Sequence, residues 1–70
     1  MSATLRIDQD RGYRELVVAE VAHWQVSYGA SSHSTVVHMR GGGVVHLDGD
    51  HGNELRRAVE AMALEARVAR

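Results

Sequence analysis

The sequence contains no cysteine, so no disulfide can brace the fold. It also has no lysine and no phenylalanine, with one isoleucine and one asparagine, against ten valines, nine alanines and eight arginines. The scarce residues have AT-rich codons and most of the abundant ones GC-rich codons. The skew points to a GC-rich genome, such as a high-GC bacterium or a phage infecting one. The arginines therefore report on codon usage before they report on a selected surface. No run of about 18 apolar residues is present, which excludes a membrane-spanning helix. Residues 1–10 lack a basic start followed by an apolar stretch, so no signal peptide is expected. With cysteine absent, cytoplasmic residence is the default.

Formal net charge is −1, with nine acidic residues against the eight arginines. Nucleic-acid binders draw affinity from a basic excess that displaces counterions, and this chain has none. Seventy residues make one domain. A domain of this size buries only about 60% of its unfolded surface, so a lone monomer is marginal. Without disulfides, the remaining supports are good packing, a metal or self-association.

Turn residues and periodicity divide the chain. Strands are expected at about residues 4–8, 13–18, 23–28, 34–39 and 44–48, and a helix at about 53–68. Gln9 to Gly12 and Gly29 to His33 read as connections. Residues 15–23 admit a helix, but the paired valines and the alternation of Trp24, Val26 and Tyr28 favour strand–turn–strand, with those three aromatic and apolar residues in the core. The fold class is α+β: a short antiparallel β-meander of three to four strands packed against one C-terminal helix.

Thr-Val-Val at 35–37, the turn Gly41-Gly42-Gly43 and the Val-rich run 44–48 form the clearest hairpin. Side chains alternate, so paired residues share a face. Met39 opposite Val45 and Val37 opposite Leu47 would need a three-residue loop, Gly41 to Gly43. This register places His38 beside His46 on the other face, near Val36 and Val44.

On the helix, Leu55, Ala58, Val59, Met62, Ala66 and Ala69 form one apolar stripe, and Asp50 or Asn53 is the expected N-cap. A second apolar line, Ala61, Leu64 and Val68, runs roughly opposite. Exposed residues of these types are ordinary singly. As a line they would suit a second chain.

The order of elements over about residues 13–62 is similar to that of short flagellar proteins of the FlbD type: a Thr-Val-Val strand, a Gly turn, a Val-rich strand and a helix. The resemblance implies a strand meander followed by a helix, and no activity is carried over from it.

No catalytic constellation is legible. His46, Asp48, Asp50 and His51 have metal-ligand chemistry but no metal-site spacing, and no metal or other cofactor is expected. Asp48 could open a calcium loop, but its twelfth position is Val59 in place of the bidentate glutamate. The glycine run lacks the Lys-Ser/Thr ending of a phosphate loop. The serines around His33 lack an orienting acid.

The expected function is a non-enzymatic protein-interaction or regulatory module, phage or accessory, binding a partner protein as a homo-oligomer. Its contact residues would be Ala61, Leu64 and Val68 on the helix, with Val36, His38, Arg40, Val44 and His46 on the sheet. Two alternatives stay open. One is nucleic-acid binding by arginines aligned in an oligomer. The other is a small ligand or nucleotide held between protomers by the glycine turns, Arg40 and the histidines.

Overall fold

The computed structural model describes residues 3–68, with side chains as far as Arg67. Five antiparallel strands and one C-terminal helix make an α+β fold. The strands are β1 (Thr4–Gln9), β2 (Gly12–Val17), β3 (Val21–Tyr28), β4 (His33–Met39) and β5 (Val44–Asp48); the helix is α1 (Gly52–Val68). They form two sheets: the hairpin β1–β2 and the meander β3–β4–β5. A 3-10 turn at Val18–Glu20 joins the sheets, so the helical alternative for residues 15–23 does not form.

Alternation sorts the meander into two faces. Trp24, Val26, Thr35, Val37, Val45 and Leu47 point toward α1, while His23, Gln25, Ser27, Ser34, Val36, His38, Val44 and His46 point away. The hairpin adds Ile7 and Leu16, and the core closes on Leu55 of the helix. On the helix only Leu55 is fully buried; Ala58, Val59 and Met62 are half-buried and Ala66 is exposed. The expected stripe therefore reaches the sheet only as far as Met62, and Ala69 lies outside the described residues. Gly52 starts the helix because space is short there: a Cβ would meet Val26 Cγ2 at 3.2 Å and Asp50 Oδ1 at 3.4 Å.

The β4–β5 register differs from the expected one. Val37 faces Val45, Thr35 faces Leu47, and His38 faces Val44. The loop is three residues long but begins one position earlier, at Arg40. The Met39 N–H donates to Gly43 O at 2.8 Å, and the Gly42 N–H to Met39 O at 3.0 Å. Gly42 occupies the loop's third position with φ +96°, a conformation costly for any residue with a Cβ. Parity, and with it the core face, is unchanged by this slide. The slide pairs Thr35 with Leu47 and lengthens the ladder to Ser34–Asp48. It also brings the Thr35 hydroxyl to the helix start and frees Arg40 to donate its N–H to Glu20 O at 2.7 Å.

Tyr28 is a second correction. It shares a face with Trp24 and Val26, but the sheet ends there and its side chain is 68% exposed, with no core around it.

Candidate functional site

The sheet face turned away from α1 is a grid set by the two ladders. One row is His23, His38 and Val44; the next is Gln25, Val36 and His46; the third is Ser27, Ser34 and Asp48. Val44 is 48% exposed, and Val36 and His38 are half-buried. The imidazole pair on this face is His23 with His38, whose rings stack at 4.3 Å with 13° between planes. His46 shares the face but stands opposite Val36. The expected His38–His46 neighbourhood is thus corrected by the slide in register. His23 enters the site instead, because β3 extends through position 23 and pairs with His38.

The other candidate residues scatter. Arg40 lies in the hairpin turn, exposed, at the edge of the grid. Ala61 and Leu64 are exposed on the helix, Leu64 by 60%. Val68 belongs to α1, but its side chain lies outside the described residues.

A second polar cluster sits where β5 turns into α1. Thr35 is fully buried; its Oγ1 donates to Gly49 O at 2.7 Å and accepts the His51 N–H at 3.0 Å. The first helical bond runs from Leu55 N to His51 O, making His51 the N-cap residue. Asp50, one position out, accepts the Gly52 N–H on Oδ1 and the Tyr28 hydroxyl on Oδ2. The Gly52 bond, then the Tyr28 bond, holds the Asp50 carboxyl below its usual range. The bond to Asp50 and its charge raise the Tyr28 phenol.

His51 has an unusual surrounding. Its Nδ1 lies 3.0 Å from Glu54 Oε1 and its Nε2 2.8 Å from Asp48 O. A neutral imidazole carries one N–H, so only the imidazolium satisfies both acceptors, whereas a neutral ring protonated at Nδ1 would turn Nε2 to accept from Gln9 Nε2, 3.4 Å away. Burial opposes that charge, but the Glu54 and Asp48 hydrogen bonds outweigh it and raise the pKa above the ordinary histidine value.

Gln9, expected only as a turn residue, joins the two sheets. Its Oε1 accepts the Asp48 N–H at 2.7 Å, and its Nε2 donates to Asp48 O at 3.3 Å and to Asp8 O at 3.0 Å. The carboxamide reproduces the donor and acceptor that a neighbouring strand would offer the free edge of β5.

Beside this joint, an open cleft of about 310 Å³ is lined by Arg11 and Arg14, by the acidic Asp10 and Asp48, and by Gln9, Tyr13 and His46. Arg11 and Arg14 make no ion pair among the described residues, whereas Arg6 bonds Asp8 and lies 4.1 Å over the Tyr13 ring. The cleft lies within one chain and does not include Arg40 or the glycine turn. No three metal-ligating side chains converge among the described residues. No helix of the described residues is long and apolar enough to cross a membrane.

Comparison with protein families, curated proteins and solved structures returned no match to this chain.

Proposed function

We propose that this protein is a non-enzymatic interaction module of regulatory type, phage or accessory in origin, which works in the cytoplasm as a homo-oligomer and binds a partner protein. The observation that carries the reading is the outer sheet face, where exposed Val44 and half-buried Val36 lie between His23, His38 and His46. Its rows mix apolar centres with hydrogen-bonding imidazole and amide groups. That composition suits the depletion of charge at the centre of protein interfaces. Ala61 and Leu64, on the side of α1 away from the sheet, offer a second and smaller contact.

Val44 provides the test. It lies on an edge strand and is 48% exposed, so Val44→Glu should barely change the melting temperature. A photo-crosslinker at position 44 is expected to trap a discrete protein partner in cells, and the same probe at Glu65 to trap none. Val44→Glu should then weaken that partner at least about tenfold, as for a central contact residue. Unchanged affinity would refute the assignment of this face.

The cleft supports a second reading, a small anionic ligand. Arg11 and Arg14 could hold a carboxylate or phosphate bidentately while Tyr13 and His46 contact its body, and Asp10 and Asp48 on the same lining favour a ligand that also carries hydrogen-bond donors. Unlike the expected inter-protomer site, this one needs a single chain. A thermal-shift screen of nucleotides and carboxylates decides it: a binder raises the melting temperature of the wild type and not of Arg14→Ala. Among the described residues Arg11 and Arg14 share this cleft, while Arg40 lies in the hairpin turn and Arg56, Arg57 and Arg67 on α1, so the nucleic-acid alternative has no row of arginines to carry it in one chain.

A further inference from the structure

From the edges of the two sheets we infer that a second copy of this chain docks along the outer edge of β3, antiparallel about Gln25, joining two meanders into one continuous sheet. The inference deepens the reading above and rests on it only for self-association; the open face could bind a partner in either state.

The hydrogen-bond alternation fixes which groups of β3 are free. Met39 N–H donates to Gly43 O and His33 O accepts the Gly49 N–H, so the odd residues of β4 serve β5. The even residues of β4, paired with His23, Gln25 and Ser27, therefore serve β3. The Gly29 N–H bond to Ser32 O at 2.7 Å continues that pattern. The N–H and C=O groups of Trp24, Val26 and Tyr28 consequently point away from the sheet. No partner for them is found among the described residues.

The other free edges are closed or guarded. On β5 the same alternation exposes Val44, His46 and Asp48, but Gln9 caps Asp48 and charged residues of the cleft flank His46. On β2, Arg14 and Glu15 charge the strand, and on β1 Arg6 and Asp8 do. Monomeric proteins protect an edge with lysine, proline, central bulges or inward charge. From His23 to Tyr28, β3 has none of these, and its one irregularity lies between Val21 and His23.

The occupant follows from self-complementarity. A two-fold axis at Gln25 uses the edge from Ala22 to Tyr28 symmetrically. It sets Gln25 against Gln25, His23 against Ser27, and Trp24 against Val26 of the second copy. The Trp24 and Val26 pairs exchange their free N–H and C=O groups, and both faces keep their parity, so both helices lie on one side. No like charges oppose each other, because β3 carries no Asp, Glu or Arg. An isologous contact of this kind closes on itself as a dimer and leaves no edge for a third copy.

The test is sedimentation equilibrium of the full chain at about 10 μM to 1 mM. Wild type is expected to be a dimer. In Val26→Pro the lost N–H is one that faces outward, which an edge strand tolerates, so the variant should melt cooperatively and sediment as a monomer. Gln25→Lys and Gln25→Glu leave the backbone intact. Each alone should raise the dimer dissociation constant roughly fivefold, since like charges face across the axis. An equimolar mixture of the two should recover wild-type affinity as a heterodimer. A wild type monomeric at 1 mM, a dimer that survives Val26→Pro, or a mixture no tighter than either variant alone each overturns the inference. The last two would move the contact elsewhere, to the helix line or to a partner's strand. A monomer that still binds protein through Val44 would leave the partner-binding face standing, and would refute both the homo-oligomer and this inference.

Discussion

Replacing Thr35 with valine separates hydrogen bonding from packing at the centre of the fold. The two side chains are nearly the same shape, and strand propensity slightly favours valine. If packing alone mattered, Thr35→Val would be neutral or stabilising. The structure predicts the opposite sign, because the hydroxyl serves both Gly49 O and the His51 N–H beneath the helix start. Leaving a buried donor or acceptor unpaired costs roughly 1–3 kcal/mol, and water reaches these half-buried residues in part. The expected net loss is about 2 kcal/mol. For a domain of this size that lowers the melting temperature by roughly 10–15 °C. Thr35→Ser keeps both bonds and loses one methyl group, which costs about 1 kcal/mol. Thermal and urea denaturation should therefore rank wild type above serine and serine above valine. A valine variant as stable as the serine variant would show that the hydroxyl does not hold the helix start.

Two further outcomes follow from the same region and from the hairpin. Gly42→Ala should destabilise by about 1 kcal/mol because it forces a Cβ into φ +96°, whereas Gly43→Ala, with open space and no positive φ, should be close to neutral. Urea midpoints check this, and equal effects would refute the observed register. The pKa of His51 is raised on folding, so its contribution to stability is complete below the unfolded value of about 6.5 and is lost as pH rises through the folded value. Wild type should lose stability as pH rises from the unfolded value through the raised folded one, and His51→Gln should lose less. The other four histidines are common to both proteins, so parallel curves would remove the imidazolium from the account.

The alternation of apolar residues identified the core face because parity survives any slide by two residues. Val37, Val45 and Leu47 are on the expected side of the sheet although their pairing differs. Register was not legible: a glycine run lets the loop start at Arg40 or at Gly41, and the choice is made by Thr35 bonding across to the helix start. The length of the helix was readable from its period, but not that His51 caps it in place of Asp50 or Asn53, nor that its apolar stripe outruns the sheet beyond Met62. In the candidate site, Val36, His38, Val44 and His46 were placed together by parity alone. His23 was missed as a partner because its pairing with His38 depends on how the Gly29–Ser32 turn sets the β3–β4 register, which no local signal announces. Gln9 was missed for a related reason: a glutamine in a turn looks solvated until its partner, 39 residues away, is known.

That separation gives the chain an order of assembly. Each hairpin is local and can form as soon as its own residues are available, since short loops close quickly. The carboxamide of Gln9, by contrast, finds its mate only after β5 exists. Until then the first hairpin has an apolar side, Ile7 and Leu16, and nothing to lay it on. The docking of the two sheets across Gln9 is accordingly the step expected to complete folding. A ribosome would have to release the chain through Asp48 before the two sheets could close on each other.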